Sequence, residues 1–154
     1  MESIQDHEYV LMIISDRYMK SLNCMFEMME VFKDSNYGKR LLFFVLSRND
    51  EKYYKKLTEE PVEAEIYSIK GRAGYKLYWQ EQQNQVSSLI KQIGEPMYTR
   101  ELVDEKIQME RIKLDLDDFF KYMMDAKGLS LDEHLATDFR ELRKFIYGDE
   151  WDMQ

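Results

Sequence analysis

Several sequence features that would assign a protein directly to a class are scarce or absent here. It has a single cysteine, which cannot form an internal disulfide and fits a reducing compartment. No apolar run approaches the roughly 20 residues that a membrane-spanning helix needs. The start, MESIQDHE, has neither the basic nor the apolar region of a signal peptide. We therefore expect a cytoplasmic protein that does not bind a membrane.

Basic residues are also in the minority. There are 22 Lys and Arg against 30 Asp and Glu, which gives a net charge of −8. Nucleic-acid-binding surfaces need clustered positive charge, so we expect no nucleic-acid partner. The two histidines, His7 and His134, have no Cys or His at ligand spacing. We therefore predict no metal site.

What the chain does contain is enough apolar sequence for one packed domain. It has 154 residues, of which 44% are hydrophobic and 34% charged. This length and balance are typical of a single globular domain and are too apolar for a disordered chain. There are no internal repeats and no low-complexity segments.

Three segments in the first half are predicted to be strands. YVLMII (residues 9–14) and RLLFFVL (residues 40–46) are almost continuously apolar, which is typical of parallel strands buried on both faces. AEIYSI (residues 64–69) is a weaker third strand. A helix is predicted between the first two strands, from an N-cap at Ser21 to about residue 34. A short helix is predicted at residues 51–57.

The second half is predicted to be helical throughout. Apolar residues recur at helical intervals over residues 75–93, and GEP (residues 94–96) ends that helix. A longer amphipathic helix over residues 99–125 is predicted to be capped by Thr99 and stopped by Gly128. A last helix is predicted from Ser130 to about residue 147, followed by a loose tail.

This order of elements predicts an α/β fold: a partial flavodoxin-like parallel sheet of about three strands wrapped by helices, then an α-helical C-terminal extension. We place the α/β domain at residues 1–95 and the extension, packed on it, at residues 96–154. A strand like YVLMII normally has a neighbour on each edge, yet nothing before residue 9 can supply one. Either an N-terminal half is missing, or a helix or another subunit covers the bare edge.

The first predicted strand and the helix that follows it resemble a segment of a known family. VLMIISDRYMKSLNCMFEMMEV (residues 10–31) resembles the central segment of bacterial TIR (Toll/interleukin-1 receptor-like) domains, where a buried strand leads through a Ser-rich turn and a Tyr to a helix with Cys and, three residues later, Glu. RLLFFVL is similar to the next strand of the family, and AEIYSIKGRAGYKLYWQEQ to its last strand and helix. The resemblance covers roughly residues 5–93. The family's first two strands and the loop after them are absent, and Asn23 stands where the family often has Trp.

The resemblance implies an activity and a site. Many TIR domains cleave NAD⁺ to nicotinamide and an ADP-ribose product in bacterial defence or signal transduction, using the glutamate that corresponds to Glu27. Ser15, Asp16 and Tyr18 lie where a parallel strand ends and a helix begins, which is where such sheets bind ligands, and with Cys24 they are the predicted substrate-binding residues. Ordinary turn chemistry is the alternative for the first three. No cofactor is implied, because NAD⁺ is itself the substrate. The implied partner is a second copy or another TIR domain, since neighbouring domains can complete one another's sites.

Other interpretations of the same residues stay open. At about 100° per residue, Glu27 lies opposite the main apolar side of its helix, so it faces either a cleft or solvent beside Glu30 and Asp34. Cys24 has no histidine in a catalytic pattern, so packing is the favoured interpretation of this residue. The chain as a whole can also be a non-catalytic TIR-like self-association module, or a truncated product.

Overall fold

The computed structural model describes residues 9–34, 36–53, 61–126 and 129–148. Within them the chain is mostly helical, with a small two-stranded parallel sheet, so the α/β fold with a helical extension is observed. The elements are β1 (Val10–Ile14), α1 (Asp16–Met19), α2 (Leu22–Phe32), α3 (Tyr37–Arg40), β2 (Leu41–Val45), a short 3-10 helix (Arg48–Tyr53), α4 (Ile69–Ile93), α5 (Pro96–Ala126), α6 (Leu131–Ala136) and α7 (Arg140–Tyr147). The predicted short helix is this 3-10 helix, placed earlier in the chain; the rest of that prediction, residues 54–57, lies outside the described residues.

β1 and β2 pair in parallel, with Val10 opposite Leu41 and Ile14 opposite Val45. The predicted parallel pairing of these two segments is confirmed. The segment predicted as a third strand has no regular structure up to residue 68 and passes the carboxyl ends of both strands instead. There the amide of Asp16 donates to the carbonyl of Val62, and the amide of Ala64 donates to the carbonyl after β2. The third strand is therefore not seen among the described residues.

The two strands differ in how much of each is covered. All of β2 is buried or half-buried, as predicted. In β1 buried and exposed side chains alternate, and the exposed ones, Leu11 and Ile13, are 46% and 53% accessible. The prediction that residues 9–14 are buried on both faces is therefore wrong. The two strands differ because the C-terminal helices cover only one of them. The rings of His134 and Phe139 pack at a tilt on Phe44 of β2, and this cover does not extend over β1.

The helix predicted between the first two strands forms and is α2. The hydroxyl of Ser21 accepts a hydrogen bond from the amide of Cys24, which caps α2 at its N-terminus. Four of its side chains are buried in the core: Met25, Met28, Met29 and Val31. α2 packs against α5, where Phe32 meets Phe119 edge to face at 6.0 Å between ring centroids.

α4 and α5 form a long antiparallel hairpin. α4 begins at an N-cap, Ser68, several residues before the predicted start, and ends at Gly94, as predicted. Gly94 adopts the left-handed conformation. α5 begins at Pro96, so Thr99 lies inside its first turn and the predicted cap is wrong. The hydroxyl of Thr99 donates a hydrogen bond to the carbonyl of Pro96. α5 contributes much of the core: Met109, Ile112, Leu116, Phe119, Phe120 and Met123. The division of the chain at residues 95 and 96 stays a prediction.

The last predicted helix is two helices. Ser130 caps α6 through a reciprocal capping box with Glu133, as its position predicted. The chain then breaks at Asp138 and Phe139, whose φ angles are +50° and +56°. This turn brings the ring of Phe139 parallel to that of His134, 14° between planes. The predicted stop at Gly128 and the tail lie outside the described residues.

Candidate functional site

A cleft of about 550 Å³ lies at the carboxyl ends of β1 and β2. In open α/β sheets this is the position where ligands bind. Its charged lining includes Asp16 after β1, Arg48 after β2, and Lys70 near the start of α4. The segment before α4 (residues 61–68), which passes the ends of both strands, is called the crossing segment. Its Glu63 and Glu65 add negative charge to the same wall of the cleft. Both acidic and basic groups therefore line the cleft.

Asp16 is the only one of the five predicted site residues that lines this cleft. Its carboxylate accepts a hydrogen bond of 2.9 Å from the hydroxyl of Tyr75 and one of 2.8 Å from Nζ of Lys20. Burial raises the pKa of Tyr75 well above its usual range, and the nearby Asp16 carboxylate raises it further. The hydroxyl of Tyr75 therefore keeps its proton and donates it to the carboxylate of Asp16.

The cleft wall depends on one close approach of backbone to helix. A side-chain Cβ at Gly71 would lie 1.9 Å from the carbonyl oxygen of Glu65, so only glycine fits there. Gly74, one turn later and also in the wall, has nothing within 4 Å of such an atom. The first of these glycines lets the crossing segment contact the first turn of α4.

Three of the other predicted residues come together on α1 and α2. The hydroxyl of Tyr18 donates to the carbonyl of Cys24 at 3.3 Å and lies 3.6 Å from Sδ of Met12 in β1. Burial raises the pKa of Tyr18 far above its usual range, and Cys24 and Glu27 add to the rise. Ser15 has a local role, since its hydroxyl accepts from the amide of Tyr18 as the cap of α1.

Glu27 is exposed on α2 and differs from the acidic residues around it. Glu30 pairs with Lys33 and, at 3.6 Å, with Arg111, while Asp34 pairs with Arg40. Within the described part of the chain, the carboxylate of Glu27 has no ion pair or hydrogen bond. The acidic side of α2 is therefore mostly a set of ion pairs, with one carboxylate left available.

Sequence reasoning missed several cleft residues, among them Lys20, Arg48 and Tyr75. Arg48 carried a usable signal, because it follows a buried strand by three residues, where the carboxyl end of the sheet must lie. Tyr75 carried none, since only the fold brings it to Asp16 across 59 positions of sequence.

The described ranges contain no group of three or more His, Cys, Asp and Glu side chains that could hold a metal ion. None of the helices in these ranges combines the length and apolarity needed to cross a bilayer. No family model, no curated protein and no solved structure matches this chain.

Proposed function

We propose that this chain is a TIR-like module, part of a flavodoxin-like domain, that cleaves NAD⁺ to nicotinamide and an ADP-ribose product when it is assembled. Its setting would be bacterial defence or signalling, and Glu27 is the catalytic carboxylate. The support is the resemblance of residues 10–31 together with one structural observation. Glu27 is the carboxylate on the exposed side of α2 that no described side chain neutralises.

The chemistry suits such a group. The glycosidic C–N bond breaks, nicotinamide leaves with the bonding electrons, and the ribose carbon gains oxocarbenium character before water or a ribose hydroxyl attacks it. An anion near that carbon stabilises the developing positive charge. An unpaired carboxylate can do this, whereas one already neutralised by a lysine or arginine contributes less.

Assembly enters the proposal because Glu27 does not line the cleft at the carboxyl ends of the strands. An exposed carboxylate leaves its substrate open to water, and a second protein surface would supply the opposite wall. Activity is then expected to rise more steeply than linearly with protein concentration, because only the associated species turns over.

The direct test is nicotinamide release from NAD⁺, followed by chromatography over a wide range of protein concentrations. We expect turnover by the wild-type chain and a loss of at least about 100-fold for Glu27→Gln, which keeps the shape and removes the charge. Glu101→Gln, a matched change at an exposed glutamate of α5, should keep full activity. Absence of turnover at every concentration would contradict the enzyme proposal.

A non-catalytic self-association module is the second candidate. The observation that favours it is the exposed apolar face of β1, with Leu11 and Ile13 about half accessible. This candidate predicts association without turnover and an unchanged association constant for Glu27→Gln. The same set of samples, examined by sedimentation, therefore separates the two functions.

A further inference from the structure

β1 has one edge without a strand beside it in the described structure. It pairs with β2 alone, so along its other edge the backbone N–H and C=O groups lack a ladder partner. Single-chain proteins protect such edges with lysine, proline or a bulge. Every side chain of β1 is instead uncharged and apolar, and its pairing with β2 is regular over all five residues. The edge therefore has the character of an interface.

We propose that this edge pairs with β1 of a second copy, antiparallel and across a two-fold axis that passes through Met12. The result is a continuous four-stranded sheet in the order β2-β1-β1-β2. The inference does not depend on NAD⁺ cleavage, since it uses only the strand, its exposure and its side chains. It names the surface through which the assembly required above would form.

The second copy is the occupant that the strand itself fits. With Met12 opposite Met12, Leu11 meets Ile13 of the other copy, and Val10 meets Ile14. Each cross-strand pair is aliphatic, and no pair opposes two charges. The length also matches, because five residues face five. Because β1 carries no charged side chain, two copies with a net charge of −8 each can pair along it without opposing like charges across the strands.

The exposed face of β1 is held in place before any partner arrives. Tyr9 precedes the strand and is 39% exposed, and its hydroxyl donates to the carbonyl of Ile146 at 3.3 Å. Its ring packs edge to face on Phe145 of α7. The cover over β2 thus borders the open face of β1, and pairing of two copies would join Leu11 and Ile13 of each into one apolar strip.

The expected affinity is modest. Five paired residues and their exposed side chains form a smaller contact than the roughly 1,200 Å² of total buried area at the low end of stable interfaces. We therefore expect a dissociation constant in the micromolar range, which corresponds to a concentration-dependent equilibrium of monomer and dimer.

Disulfide trapping tests the register directly. In a Cys24→Ser background, Leu11→Cys protein is mixed with Ile13→Cys protein of a different tag length and oxidised. We expect the mixed dimer to form several-fold faster than either self-dimer, because the two-fold places position 11 opposite position 13. Leu77→Cys, on α4 and 70% exposed, is the control for random collision. Equal rates in all combinations, or rates no higher than this control, would overturn the proposal.

Sedimentation velocity gives the second readout. We expect Ile13→Lys to shift the wild-type dimer to monomer while its far-ultraviolet circular dichroism stays unchanged, and Leu77→Lys to leave the dimer intact. A wild-type chain that remains monomeric at several hundred micromolar would overturn the pairing. Neither experiment uses NAD⁺, so the failure of the interface and the failure of the enzyme proposal are seen separately.

Discussion

The imidazole ring of His134 lies against the ring of Phe44, with 4.0 Å between the two centroids. His134 is 1% exposed, and neither of its ring nitrogens has a hydrogen-bond partner among the described residues. Burial lowers its pKa, although the nearby carboxylates of Glu133 and Glu141 act in the opposite direction. The contact between α6 and β2 thus requires a neutral histidine.

The first prediction is that this contact weakens in acid. The unfolded chain binds a proton at His134 near pH 6.5, whereas the folded chain binds it only at lower pH. The stability due to the neutral ring is therefore complete above about pH 6.5 and is lost as the pH falls through the folded-state pKa. We expect His134 to account for a loss of up to about 1.4 kcal/mol between pH 7.5 and pH 5.5.

Urea unfolding at these two pH values measures the effect. His134→Phe keeps a flat ring between Phe44 and Phe139 and cannot take a proton, so its stability should fall less over the same interval. If the variant and the wild type lose equal stability, His134 is not the group responsible.

The second prediction concerns the two glycines at the start of α4. Gly71→Ala should lower the free energy of unfolding by about 2–4 kcal/mol, because the new Cβ would displace the backbone of Glu65. Gly74→Ala is the matched change in the same helix and meets open space. It should raise stability by up to about 1 kcal/mol through helix propensity. Thermal or urea unfolding of the pair would show opposite signs, and two losses of equal size would refute this account.

The third prediction concerns the pairing of Asp16 with Tyr75. Tyr75→Phe removes the hydroxyl that donates to Asp16, and Asp16→Asn replaces the accepting carboxylate with a neutral amide. A double-mutant cycle with these two variants should give a coupling energy of about 1–3 kcal/mol, as for a hydrogen bond to a charged group. Tyr9→Phe tests specificity, since that hydroxyl donates to the carbonyl of Ile146 and should not couple to Asp16→Asn. A coupling near zero would mean that the contact contributes little.

Local sequence signals predicted much of this fold. Ser21 and Ser130 cap helices where their side chains suggested, and α4 ends at Gly94, as the GEP segment indicated. These features depend on neighbours within a few residues, so sequence alone determines them. The apolar runs likewise predicted β1 and β2 and their parallel pairing.

The errors arose where distant parts of the chain decide the outcome. The sequence of β1 is as apolar as that of β2, but only β2 lies under α6 and α7, so burial could not be read from composition. The break at Asp138 and Phe139 has no glycine or proline to announce it. It follows from the stacking of Phe139 on His134 and Phe44, which is a tertiary contact.

The candidate site shows the same limit. Position after a strand identified Asp16 and the helix pattern identified the exposed side of Glu27, and both lie where those signals placed them. The sequence could not show that Asp16 and Glu27 lie on different surfaces of the protein, Asp16 in the cleft and Glu27 outside it. That separation depends on how α1 turns between β1 and α2, with Asp16 towards α4 and Tyr18 towards α2.

The hairpin of α4 and α5 is far longer than the sheet it covers. The 25 residues of α4 span about 37 Å, whereas a five-residue strand spans about 17 Å. The cleft lies at the first turns of α4, so the turn at Gly94 is separated from it by nearly the whole helix. A fluorophore attached at that turn would report the approach of two molecules by energy transfer, with the cleft at the opposite end of α4 left undisturbed.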